Sequence, residues 1–129
     1  AAIPAVEYDA FAFTNAVMER RQGDALDILA DLKFRRVEPV FILSEVSRVV
    51  CDLAMVGTLG ASGQTTAEIS ASLKMHEYRV GLYLRQAARI PPERLKAAVA
   101  ACGEADAAMK GAMGSSGGYG VIEKLICAL

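Results

Sequence analysis

His76 is the single histidine in a chain of 129 residues, and the three cysteines, Cys51, Cys102 and Cys127, stand far apart. A structural zinc site needs several nitrogen or sulfur donors at close, characteristic spacing, and no Cys-x-x-Cys pair is present to begin one. His76 falls near a helix start, where a surface or capping role is expected. Each cysteine lies inside a helical pattern and reads as a buried thiol, which suits a reducing, cytoplasmic setting. No metal ligand set and no cofactor site is expected.

Gly114-Ser115-Ser116-Gly117-Gly118 formally matches G-x-S-x-G. A nucleophile elbow, however, needs a β-strand before the serine and a histidine after it, whereas here a helical pattern precedes it and the only histidine lies upstream. The stretch reads as a loop, and its glycines are followed by no Gly-Lys-Ser or Gly-Lys-Thr of a phosphate loop. Asp106 carries more information. It falls on the apolar stripe of Leu95, Val99, Cys102 and Met109, and a buried acid is costly unless paired. Lys110 is four residues on and can reach it along the helix. Asp106 and Lys110 therefore read as a polar pair, either exposed at the stripe's edge or fixing the loop that follows. No third group accompanies them, so no catalytic role is expected, and the chain reads as no enzyme.

Arg79, Arg85, Arg89, Arg94 and Lys96 crowd into one short stretch. Arg85 and Arg89, one turn apart, would share a helix face. That face is either solvated or a docking face for an acidic partner or nucleic acid, with Arg79, Arg85 and Arg89 as its residues. Residues 65–89 also have helix-turn-helix character, since Ile69, Leu73, Met75 and Val80 fall where two short helices would pack. Lys74 stands where such turns often have glycine. Tyr78 and Tyr83 read as packing residues before base-stacking platforms.

The elements that would position these groups are helices throughout. Residues 1–8, with Pro4, read as an N-terminal arm or linker. A first helix spans about 9–21, with Phe11, Ala12, Ala16 and Val17 near one side. Gly23-Asp24 reads as a turn and N-cap before a second helix to about Arg36, whose apolar face is Ala25, Ile28, Leu29 and Leu32. Pro39 opens a third and most apolar helix to about Met55, and residues 57–64 read as a flexible loop. Thr65 with Glu68 fits a capping box for a short helix, and a further helix runs to about Arg89. Pro91-Pro92 opens the next. Residues 111–119 read as a Gly/Ser loop, and a last helix from about Tyr119 buries Val121, Ile122, Leu125 and Ile126. The fold class is all-α, a compact bundle of about six or seven helices in one domain over 9–129.

Composition agrees. Apolar residues make up 53% of the chain, enough for a core, and helix-favouring alanine is abundant. The net charge is −1, from 14 basic and 15 acidic residues, which argues against phosphate-backbone binding by the whole surface. The apolar run at 40–43 is soon broken by Glu45, Arg48 and Asp52, so no membrane span is expected. The chain opens Ala1-Ala2-Ile3 without a methionine and without the basic-then-apolar order of a signal peptide, which fits one part of a longer protein.

The run Thr65-Thr66-Ala67-Glu68-Ile69-Ser70-Ala71-Ser72-Leu73-Lys74-Met75-His76-Glu77-Tyr78-Arg79-Val80, then Leu84-Arg85-Gln86-Ala87-Ala88-Arg89, resembles the C-terminal domain of the delta subunit of bacterial DNA polymerase III. Downstream, Glu104-Ala105-Asp106-Ala107-Ala108-Met109-Lys110-Gly111 is similar to that family's helix ending in an acid, a lysine and a small turn residue. Gly23-Asp24-Ala25-Leu26-Asp27-Ile28-Leu29, Pro39-Val40-Phe41-Ile42-Leu43 and Leu125-Ile126 resemble its second, third and closing helices. The likeness spans about 10–129. It implies a collar-like helical domain that packs with the C-terminal helical domains of the other clamp-loader subunits during sliding-clamp loading in DNA replication. It implies contact with the sliding clamp only through an N-terminal region outside this chain, and weak or absent DNA contact here. The alternative, from the residues themselves, is a helix-turn-helix-like nucleic-acid-binding module using residues 65–89.

Overall fold

A computed structural model of the chain describes residues 5–111 and 118–128, with side chains from Phe11 onward up to Ile126. Its seven helices, among the described residues, are α1 (Ala5–Met18), α2 (Gln22–Phe34), α3 (Pro39–Ala61), α4 (Thr66–Leu73), α5 (Glu77–Ala87), α6 (Pro92–Gly111) and α7 (Gly118–Ala128). The all-α bundle expected from the pattern is the fold observed.

α3 is the centre. Its 23 residues make a rod of about 35 Å. Ile42, Leu43, Val46, Val49, Val50, Leu53 and Val56 are buried along it. That set is wider than one stripe, because α3 is covered on several sides by α1, α4, α5, α6 and α7. Phe13 and Met18 of α1, Leu32 of α2, Ile69 of α4, Val80 of α5 and Ile122 of α7 complete one continuous core.

Three boundaries differ from the sequence reading, each for a physical reason. The expected arm at 1–8 is already helical from Ala5. Pro4 stands just before it in the sequence, and proline is tolerated at a helix start but not further in. The expected turn at Gly23-Asp24 lies inside α2, which begins at Gln22. The chain reverses earlier than glycine suggested, at Arg20, whose φ is 61°. There the Arg21 N–H donates to the Ala16 carbonyl (2.7 Å) and the Arg20 N–H to that of Val17 (3.1 Å), the paired bonds of a Schellman closure. The expected loop at 57–64 is helical through Ala61. Gly57 and Gly60 are there because neighbours come close. A Cβ on Gly60 would lie 2.6 Å from Leu84 Cδ2.

The Schellman closure recurs. α2 ends on Arg36 (φ 59°) and α4 on Lys74 (φ 54°), while α3 alone of the four ends on a glycine, Gly63 (φ 97°). The Val37 N–H donates to Leu32 (3.1 Å), that of Met75 to Ser70 (3.1 Å) and that of Gln64 to Leu59 (3.2 Å). A left-handed residue normally favours glycine, but a cation at a helix C-terminus is favoured by the helix dipole. Basic residues at three of these turns explain why the turns were hard to see by composition.

Candidate docking surfaces

The helix pair α4–α5 is built as its sequence suggests. Thr65 Oγ1 accepts from the Glu68 N–H (3.2 Å) and Glu68 Oε1 from the Thr65 N–H (3.0 Å), a full capping box. Hydrogen bonding from Thr65, its backbone N–H first and its side chain second, holds the Glu68 carboxyl below the usual glutamate range. Lys74 takes the left-handed turn position. His76 caps α5, its Nδ1 accepting from the Tyr78 N–H at 3.1 Å. Ile69 and Val80 are buried, and Leu73 and Met75 are partly so.

The basic residues of this pair do not converge. Arg79 and Arg85 are six residues apart on α5, about 120° apart around its axis. Arg89 lies beyond the end of α5, so it shares no helix face with Arg85. Its Nη1 stands 3.0 Å from Glu19 Oε1, across to the end of α1. Arg21 binds the other oxygen of the same carboxylate (Nη2 to Oε2, 2.8 Å). Glu19 is therefore held below the usual glutamate range, by the Arg21 hydrogen bond first and that of Arg89 second. Arg94 donates from Nη1 to the Met18 carbonyl at 2.7 Å, so the α5–α6 turn and the α1 end are tied twice.

Asp106 and Lys110 meet at 3.0 Å, with side chains 58% and 74% exposed. Ala98 and Ala105, not Val99 and Asp106, fill the buried stripe of α6 with Leu95, Cys102 and Met109. A surface pair at that spacing contributes about 0.3–0.5 kcal/mol. The G-x-S-x-G stretch falls outside the described residues except for Gly118, which opens α7. The side chain of Cys127 is likewise outside them. Cys102 is buried, and burial raises its thiol pKa, while a Ser47 hydrogen bond acts the other way. Cys51 is exposed, contrary to expectation: α3 turns that side outward with Met55. Tyr83 is buried edge-on against Phe11 (ring centres 5.4 Å), but Tyr78 is 67% exposed and is not a packing residue.

What stands out is apolar surface that the fold leaves uncovered. Phe34 is 86% exposed at the last position of α2. Leu26 and Ala30 precede it at four-residue intervals, giving an outward row separate from the buried Ala25, Leu29 and Leu32. Val40 and Phe41 are about half exposed in the first turn of α3. The row was missed because α2 already had one adequate apolar face. Leucine, alanine and phenylalanine at i, i+4 and i+8 off that face were the available signal.

Two open grooves accompany the row. One, of about 700 Å³, has α1 and Val49 of α3 as floor, α2 as one wall and α5 as the other. The second, of about 1220 Å³, runs between the C-terminal half of α3, the end of α5 and α6. Small residues wall it, among them Ala54, Gly57, Ala61, Ala88 and Ala100. Among the described residues no cluster of three or more His, Cys, Asp or Glu could hold a metal, and no helix is long and apolar enough to cross a membrane.

The family model for the C-terminal domain of the DNA polymerase III delta subunit matches residues 7–119. The DNA polymerase III subunit delta of Bacillus subtilis (strain 168) is 26% identical over 91 residues, which cover 70% of this chain and 26% of that protein. The solved structure of a Bacillus subtilis DNA clamp loader delta protein is similar to 95% of this chain with a TM-score of 0.87, at 24% identity, and the match covers 36% of that structure's chain. The chain thus spans about a quarter of the curated relative and about a third of the solved one.

Proposed function

Because the chain belongs to the family formed by the C-terminal domains of DNA polymerase III delta subunits, we propose that it is a non-catalytic assembly module of a clamp loader, packing against the C-terminal helical domains of the other loader subunits. The observation that carries this reading is the outward row Leu26–Ala30–Phe34, with Val40 and Phe41 close by in sequence, on a domain whose own core is complete. Exposed aromatic and aliphatic side chains cost solubility unless a partner covers them. The family match and the names of the similar proteins, a DNA polymerase III subunit delta and a DNA clamp loader delta protein, support a clamp-loader setting for such a partner. Contact with the sliding clamp belongs, on this reading, to the parent protein's other domains.

The test is assembly. Purified chain is mixed with the remaining loader subunits and the mass is followed by light scattering. A stoichiometric complex is expected, weakened by Phe34→Ser. Absence of any complex, even with the parent protein's N-terminal domains joined to the chain, would sink the reading.

A further inference from the structure

His76 holds the start of α5 through one ring nitrogen. It stands at the N-cap with extended backbone (φ −60°, ψ 138°), and its Nδ1 accepts from the Tyr78 N–H at 3.1 Å. A backbone N–H can only donate. Nδ1 must therefore offer its lone pair, and the ring's own proton must sit on Nε2. Serine, threonine and asparagine, the commoner cap residues, accept such a bond whatever the pH near neutrality. The cap of α4 is of that kind, with the Thr65 hydroxyl as acceptor. A histidine accepts only while its ring is neutral, and imidazole is the side chain that ordinarily changes charge near neutral pH.

We infer that His76 makes the first turn of α5 a pH-sensitive switch, in which a proton gained at Nδ1 ends the Tyr78 bond and loosens the turn that carries Tyr78 and Arg79. The protonated ring turns a donor toward a donor and sets a positive charge at the positive end of the α5 dipole. Lys74, two residues earlier at the C-cap of α4, and Arg79 on α5 add to that repulsion. Glu77 in the same turn pulls the other way, but it is exposed, where an ion pair is weak. Glu68 is engaged with Thr65 at the far end of α4. The part of α3 that meets α5 through Gly57 and Gly60 has no charged residue between Leu53 and Ala61, and Glu45, Arg48 and Asp52 before it pair with one another. Glu7 and Asp9 of α1 lie outside the described side chains. The change is local, because the Val80 N–H still donates to the His76 carbonyl (3.0 Å) and Val80 stays in the core. Its effect falls on the groove between α2 and α5, whose rim includes the exposed Tyr78 and Arg79.

His76 is the single histidine, so a change between about pH 7.5 and about pH 5.5 addresses it before any other side chain. The Tyr78 amide proton shift and the ¹⁵N order parameters of Tyr78 and Arg79 are measured by NMR at both pH values. Three chains are compared: the parent, His76→Asn, which keeps a cap acceptor at either pH, and His76→Ala, which has none at either. In the parent the Tyr78 amide is expected to move upfield on acidification and both order parameters to fall. His76→Asn is expected to stay ordered at both pH values and His76→Ala to stay loose at both. The amides of Val49 and Val50 serve as the core control and are expected to hold still in the parent. A parent that responds no more than His76→Asn would overturn the switch. So would a full response in His76→Ala, which would put the titrating group elsewhere, or a loss shared by Val49 and Val50, which would mean unfolding of the whole domain. Should His76→Ala fail to fold, the comparison of the parent with His76→Asn decides alone.

Discussion

Gly57 of α3 faces Ala87 of α5 so closely that a Cβ on the glycine would stand 3.1 Å from the alanine methyl and 3.4 Å from Leu95 Cδ1. One turn on, Gly60 faces Leu84, whose Cδ2 would be 2.6 Å away. The two contacts differ in what can yield. The alanine methyl has no rotamer to change, whereas a leucine end can swing.

Gly57→Val is therefore expected to destabilise the domain by about 2 kcal/mol, since α3 and α5 must part. Gly60→Ala is expected to stay within about 1 kcal/mol of the parent, the helix gaining about as much from alanine as Leu84 loses by moving. Urea unfolding of both variants checks the ranking, and equal losses would show that the close approach at Gly57 does not matter.

The carboxylate of Glu19 offers a pH readout. Its folded-state pKa lies below the unfolded one, so its contribution is fully present above the unfolded value. That contribution fades as pH falls through the usual glutamate range toward the folded value. Arg89→Ala removes the second of two guanidinium hydrogen bonds. Carboxyl ¹³C NMR is expected to show Glu19 titrating higher in that variant, yet still below an ordinary glutamate, because Arg21 remains. An unmoved titration would mean that the Arg89 contact is not formed in solution.

Thiol accessibility separates the cysteines. Cys51 is exposed, and Cys102 is buried with its thiol pKa raised. A maleimide at neutral pH is expected to label Cys51 in the native chain within minutes and Cys102 only after denaturant is added. Peptide mass mapping distinguishes the sites, and prompt native labelling of Cys102 would contradict the packing of α6 on α3.

Lys74 sits at φ 54°, ψ 44°, where a side chain branched at Cβ is strained. Lys74→Val is expected to cost about 1–2 kcal/mol, and Lys74→Gly to gain up to about 1 kcal/mol. Thermal unfolding of the pair checks the sign. A loss with glycine would show that the lysine's charge at the C-terminus of α4 outweighs its backbone strain.

Much of the fold was legible because it is encoded locally. The Thr65–Glu68 box, Pro39 and Pro92 at helix starts, and the apolar spacing of α3 each act within a few residues, and each appears where expected. What was not legible depends on partners distant in sequence. Gly57 and Gly60 resemble a loop until Ala87 and Leu84 are brought against them. Arg20 and Arg36 look like helix residues until the next helix pulls the chain back. The placement of Arg89 is illegible for the same reason: it lies past the end of α5 and reaches Glu19, 70 positions earlier. The grooves could not be read at all, since each is a space between elements whose neighbours in the bundle are set by the tertiary fold.

α1, α4, α5, α6 and α7 all pack on α3, so both the N-terminal and the C-terminal helices bury their apolar faces against it. Such a domain opens all at once or hardly at all. Deuterium should reach the amides between Val46 and Val56 only through global unfolding, long after it has entered the outer turns of α4. A cut within α3 would leave two fragments that refold only by finding each other again, whereas a cut at Ser62–Gly63 would leave the rod whole.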